Sequence, residues 1–262
     1  MELTLAHISD IHCGDPHFVP DLMERAIAEI NDLEPDIVVV SGDLTTYGFK
    51  EEFARARRYL DRIACEALVV IPGNHDSRNV GYVHFEELIG ERRSVTRKGD
   101  ATVVAVDSTE PDLDHGQIGR GTYSWIEEQF LEPAELRIFV LHHHLLPIPG
   151  TGRERNVVYD AGDVIECLQR AGVQLVLSGH KHVPYAWKLE DLFVVNTGTV
   201  STLRLRGNTR PCYNVVEVEG THASIWRRYP FHGQELIIQF DLRTGEYEKY
   251  TGRIEREVSA RR

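Results

Sequence analysis

The chain is short of cysteine, of long apolar runs and of positive charge, and each shortage removes a class of protein. Its 262 residues hold four cysteines, Cys13, Cys65, Cys167 and Cys212, far apart and without a Cys-x-x-Cys pair. That usage excludes a disulfide framework and predicts reduced thiols in a cytoplasmic protein. No stretch reaches the roughly 20 apolar residues of a membrane span, and the N-terminus runs straight into a strand-like segment. Neither a signal peptide nor a membrane partner is expected. With 29 Lys and Arg against 41 Asp and Glu, the net charge is −12. Such a surface disfavours nucleic-acid polymers and anionic membranes. It leaves room for a small phosphorylated substrate, because bound divalent metals would make a pocket locally positive.

What is present reads as α/β. Leu3–Ser9, Asp36–Ser41 and Ala67–Ile71 are apolar runs of the kind buried on both faces of a parallel sheet. Between them, Leu22, Ala26, Ile27, Ile30 and Leu33 mark one helical face, and Phe53, Ala56, Leu60 and Ile63 mark another. After a less regular stretch come strands over Thr102–Val106, Arg137–Leu141 and Gln174–Ser178. A helix around Thr122–Leu131 and one through Val164, Cys167, Leu168 and Ala171 separate them. Strands dominate from Leu192, with a hairpin around Glu219-Gly220. The expectation is one domain over residues 1–250 and a charged tail over 251–262. The strand-rich C-terminal third can serve as a cap over a pocket or as an edge for a homo-oligomer, and both remain open.

Five polar stretches follow these strands: Asp10-Ile11-His12, Gly42-Asp43, Gly73-Asn74-His75-Asp76, His142-His143-His144 and Gly179-His180-Lys181-His182. They supply carboxylates, imidazoles and one amide, the donors that suit Mn, Fe, Zn or Co better than Mg or Ca. Ligands in open α/β sheets gather outside the carboxyl ends of strands, so five such loops point to one dinuclear site. Gly42 and Gly73 remove Cβ atoms where the chain must turn sharply. Taken singly, the residues have ordinary explanations: Asp43 as a turn or N-cap residue, Asn74 as a turn, His180 and His182 as surface histidines. Jointly, the ordinary reading needs five coincidences in one order.

The order D-x-H, G-D, G-N-H-D, H, G-H-x-H resembles the calcineurin-like metallophosphoesterase superfamily, from Ile8 to His182. The resemblance implies a four-layer αββα sandwich of two mixed β-sheets flanked by helices, with two divalent or trivalent metal ions at one edge. It implies that Asp10, His12, Asp43 and His182 hold the first ion, and that Asp43 bridges to a second held by Asn74, His143 and His180. Within the histidine run His143 fits the Val-Leu-x-His register, although Leu145 stands where relatives carry proline. His142 is the alternative ligand, and His144 is placed toward the substrate. His75 is implied as proton donor or transition-state stabiliser, with Asp76 orienting the loop or the ring. The implied chemistry is attack on phosphorus by a hydroxide shared between the metals.

Ser9–His12, Gly42–Thr45, Gly48 and Val106-Asp107-Ser108 resemble the bacterial and archaeal phosphodiesterase branch, whose members cleave cyclic nucleotides and glycerophosphodiesters. Thr46 stands where many of those relatives carry Asp. A small phosphoester is therefore the expected substrate. A phosphomonoesterase, a nuclease of the same superfamily and a non-catalytic metal-binding scaffold are the competing readings. His7 is expected as a hydrogen-bonded sheet residue, and His17, His84, His115, His222 and His232 as surface or loop residues. Cys13 is expected to be a wall residue. Arg78, Arg153, Arg155, Arg204 and Arg206 are placed equally well against a phosphate or in solvent.

Overall fold

Runs of β-branched residues set the two sheets, and the structure, a computed structural model, describes residues 1–149, 151, 157–206 and 209–250. In the first sheet β1 (Glu2–Ile8), β2 (Ile37–Val40) and β3 (Ala67–Val70) run parallel. β10 (Tyr213–Glu219) pairs antiparallel with β1, and β11 (His222–Tyr229), β12 (Gly233–Asp241) and β13 (Tyr247–Lys249) continue outward. The C-terminal strands thus extend the first sheet; they do not roof the pocket.

The second sheet has the order β4 (Arg93–Lys98), β5 (Ala101–Val106), β6 (Leu136–Val140), β7 (Leu175–Ser178), β9 (Leu192–Asn196), β8 (Tyr185–Leu189). Its four inner strands are parallel and its two edges antiparallel.

Alternation along the strands makes three apolar layers. Leu5, Val39 and Val69 of the first sheet meet Val103, Ile138 and Leu175 of the second. The opposite face of the first sheet, with Ile8, Val38 and Val40, packs on α1 (Pro20–Asp32), α2 (Lys50–Leu60) and α3 (Gly81–Leu88) through Met23, Ile30, Phe53 and Phe85. The opposite face of the second, with Val104, Phe139 and Val176, packs on α4 (Arg120–Gln129) and α5 (Ala161–Arg170). The result is helix, sheet, sheet, helix, as the family resemblance implied.

Differences from the sequence reading are local. α1 buries Ala26, Ile27 and Ile30 as expected, but Met23 takes the inward place given to Leu22, which is only half-buried. The irregular stretch after His75 contains α3 and the polar edge strand β4. Among the described residues no helix is long and apolar enough to cross a membrane, and all four cysteines are free. The tail 251–262, Arg153 and Arg155 lie outside the described residues.

Candidate metal centre

The loops after β1, β2, β3, β5, β6 and β7 leave the same end of the two sheets. Their backbones are strained where the polar side chains point inward. Asp10 (φ 55°), His12 (φ 54°), Asp43 (φ 53°), His180 (φ 80°) and His182 (φ 56°) all occupy the left-handed region. Each such residue costs on the order of 1 kcal/mol or more, which the surrounding fold must offset. Part of that support comes from the loop after β9. Thr199 Oγ1 donates to the Asp10 carbonyl at 2.7 Å, and Ser201 Oγ donates to the Ile11 carbonyl at 3.0 Å.

Hydrogen bonding fixes which ring nitrogens carry protons. His12 Nδ1 faces the Thr45 carbonyl at 3.2 Å, and His182 Nδ1 faces the Arg204 carbonyl at 2.6 Å. A carbonyl only accepts, so both Nδ1 atoms are the protonated ones. The two Nε2 atoms then face each other at 2.9 Å, close enough to share a proton or a cation, and Asp10 beside His182 raises that ring's affinity for positive charge. Asp10 Oδ1 lies 3.3 Å from His182 Nε2, and Asp43 Oδ2 lies 3.6 Å from His12 Nε2.

A second convergence shares Asp43. His142 Nδ1 faces the Ser41 carbonyl at 2.7 Å, which turns its Nε2 to within 3.4 Å of Asp43 Oδ2 and 3.2 Å of Asn74 Oδ1. His180 Nδ1 is 3.0 Å from the same Asn74 oxygen. His143, the ligand implied by resemblance, is placed differently. Its Nδ1 bonds Ser108 Oγ at 2.8 Å, and its buried Nε2 has no hydrogen-bond partner. The ring stands beside His180, 4.6 Å between centroids. His144 is pinned by the Gly179 carbonyl at 2.8 Å.

The ionisation pattern follows from burial and from these neighbours. Burial drives His12 down to about 3, against the pull of Asp43. Burial also opposes a charge on His142, yet Asp43 and the Ser41 carbonyl hold it up to about 9. Asp43 itself, although buried, is kept well below the usual carboxylate range by His142 and His75. The converging acceptors around His142 thus favour a positive charge at this point.

These donor sets fit divalent cations. Imidazole nitrogens and carboxylate oxygens converge, and buried Asp10 Oδ1, His143 Nε2 and His180 Nε2 lack any hydrogen-bond partner. Groups of potential ligands comprise Asp10, His12 and His182; His12, Asp43 and His75; and Asp10, Asp43 and His142. The mixture of imidazole nitrogen and carboxylate or amide oxygen suits borderline transition metals.

Asp76 acts at one remove. Its carboxylate accepts from the backbone N–H of Leu44, Thr45 and Gly73 at 3.0, 2.8 and 2.9 Å, and from Thr45 Oγ1 at 2.7 Å. It thereby ties the loops after β2 and β3 together. Burial and nearby Asp43 push it up to about 7. His75 donates from Nδ1 to the Thr46 carbonyl at 2.7 Å and sits on the wall of a cleft of about 310 Å³. Arg78, Lys181, Arg204 and Arg206 line the same cleft.

Asp114, Thr199 and Ser201 were not singled out from sequence. Asp114 lies 40 residues from Asn74, whose amide it contacts, and no local pattern announces such a partner. Cys13 is fully buried, pushed up to about 12 by burial, and belongs to none of the ligand groups. His7 bonds Ser41 Oγ at 2.8 Å inside the sheet. His17, His115, His222 and His232 are exposed and His84 half-buried.

Residues 3–184 match the model of the calcineurin-like phosphoesterase family. The chain is 28% identical over 192 residues to a probable cyclic nucleotide phosphodiesterase of Synechococcus sp., covering 70% of this chain and 74% of that protein. It is 27% identical over 199 residues to glycerophosphodiester phosphodiesterase GpdQ of Enterobacter lignolyticus, covering 69% and 71%. Its fold superimposes on a dimetal phosphatase from Danio rerio with a TM-score of 0.64 at 13% identity, over 87% of this chain and 96% of that one. Because the family match spans more than half of the chain and takes in each of the five motif-bearing loops, the chain belongs to the calcineurin-like phosphoesterase family.

Proposed function

We propose that the chain is a dinuclear-metal phosphodiesterase for a small diester, a cyclic nucleotide or glycerophosphodiester. The observation that carries the reading is the position of Asp43, 3.6 Å from His12 Nε2 on one side and 3.4 Å from His142 Nε2 on the other. Asp10, His12 and His182 would hold one cation with Asp43. Asn74, His142 and His180 would hold the second with the same carboxylate. In this assignment His142 takes the place given to His143 from sequence, because its Nε2 is the one turned toward Asp43 and Asn74. Two divalent ions there would supply Lewis-acid activation of water and of the phosphoryl oxygens.

The remaining roles belong to the protein. His75, with its Nδ1 proton held by Thr46, presents Nε2 as the atom that donates a proton to the leaving oxygen when the ring is doubly protonated. Asp76 positions His75 and Asp43 by holding the two loops and touches no substrate. The two sequence relatives reported above carry phosphodiesterase names, which favours the same class here.

A second reading, a phosphomonoesterase, draws on the four cations at the cleft, which suit a dianion. Hydrolysis of bis(p-nitrophenyl) phosphate against p-nitrophenyl phosphate separates the two. Metal-stripped protein is tested alone and with Mn, Fe, Zn or Co restored, beside Asn74→Ala and His75→Ala. Metal-dependent diester cleavage that collapses in both variants is expected. Monoester preference would replace the diesterase reading, and two bound metals without turnover would point to a scaffold.

A further inference from the structure

Lys181 and Arg206 line the cleft over the centre, and neither has a carboxylate within ion-pair distance among the described residues. Their neighbours are paired: Arg78 bonds Asp114 at 2.5 Å, and Arg204 lies 3.7 Å from Asp15. In a chain of net charge −12, two cations without an ion-pair partner in one small cleft make a locally positive patch that suits an anion.

Both positions are built by the site. Lys181 is carried on the turn between His180 and His182, whose left-handed backbones also aim the two imidazoles. Arg206 follows a segment anchored to the centre by the Arg204 carbonyl, which accepts from His182 Nδ1 at 2.6 Å. Burial orders them by depth: His180 and His182 are buried, Lys181 is half-buried and Arg206 is exposed. The cations stand outside the ligand layer, where the part of a substrate beyond the scissile phosphorus would lie.

We propose that Lys181 and Arg206 form a subsite for a second, non-scissile phosphate, so that the preferred substrate is a phosphodiester bearing an additional phosphate group. The proposal rests on the phosphodiesterase reading for its substrate, but the subsite is testable by binding alone. AMP and adenosine 3′,5′-bisphosphate differ by one phosphate and serve as probes in calorimetric titrations of Mn-loaded protein. The bisphosphate is expected to bind about tenfold more tightly than AMP, equivalent to about 1.4 kcal/mol. In Arg206→Gln and in Lys181→Gln/Arg206→Gln that ratio is expected to fall toward one; Arg206 is exposed, so the single variant retains the fold.

A ratio near one in the unaltered protein, or a ratio that survives both substitutions, overturns the subsite. Equal weakening of both probes also overturns it, because the cations would then serve the terminal phosphate of a monoester. Turnover of bis(p-nitrophenyl) phosphate on the same samples keeps the two readings apart. A retained ratio without turnover sinks the diesterase assignment alone; turnover without the ratio sinks the subsite alone.

Discussion

Asn74 Nδ2 donates to Asp114 Oδ1 at 3.3 Å, and this contact decides which way the amide faces. Asp114 only accepts, so the Asn74 oxygen is turned inward to His142 and His180. Asp114 also receives Arg78, whose guanidinium passes 3.1 Å from His75 Nδ1. One exposed carboxylate thus orients an inferred ligand and steadies the approach to the inferred proton donor.

Removing that carboxylate frees the amide to rotate. Asp114→Ala is expected to weaken the second cation by roughly tenfold, the usual cost of losing a partner behind a ligand. Titration against a competing chelator measures it. Asp114→Asn, whose amide oxygen still accepts, is expected to recover part of the loss. Equal affinity in Asp114→Ala and the unaltered chain would remove Asp114 from the site.

The histidine run gives a sharper contrast. His142→Ala removes an imidazole whose Nε2 stands 3.4 Å from Asp43, and bound metal is expected to fall from about two ions to about one. His143→Ala removes a ring bonded to Ser108 and is expected to keep both ions. Metal content after gel filtration reads the difference. Reversed stoichiometries would restore His143 as the ligand.

Much of this architecture was legible because buried parallel strands read as uninterrupted apolar runs; Val38, Val39 and Val40 are all fully buried. The loops were legible because they concentrate rare donor types at strand ends. The register within His142–His144 was not, since three identical residues leave a strand end with rings turned three ways, and the proposed choice of His142 rests on ring orientation that no local pattern encodes. α3 was hidden because it begins after Val80, a β-branched residue at φ 59°, without a capping side chain. β4 was hidden because the edge strand Arg93–Lys98 is polar apart from Val95. Asp114, Thr199 and Ser201 act across long separations, which no local pattern encodes.

Gly73 admits the β3 loop against Asp43. A Cβ there would lie 2.2 Å from Asp43 Oδ1 and 2.3 Å from Asp43 N, closer than any adjustment of one side chain can relieve. Gly73→Ala is expected to lose metal and to cost roughly 1–3 kcal/mol of stability through overpacking. Gly162 in α5 has open space around its Cβ position, so Gly162→Ala is expected to gain up to about 1 kcal/mol. Thermal melts with metal analysis test both. A Gly73→Ala protein with full metal content and an unchanged melting temperature would contradict the packing argument.

Acid should weaken the fold through His7. Burial lowers this ring to about 3, whereas an exposed histidine titrates near 6.5. Between those values the unfolded chain takes up a proton that the folded chain refuses, so stability is complete above about 6.5 and declines as the pH falls toward 3. From pH 6.5 to 5.5 this one group accounts for a loss of about 1 kcal/mol, because the unfolded ring is already half protonated at pH 6.5. His7→Gln keeps a side chain able to reach Ser41 and removes the titration. Urea unfolding at both pH values is expected to show a smaller acid penalty in the variant by about that amount. Identical penalties would mean that His7 is protonated in the folded chain, and its bond to Ser41 would need another account.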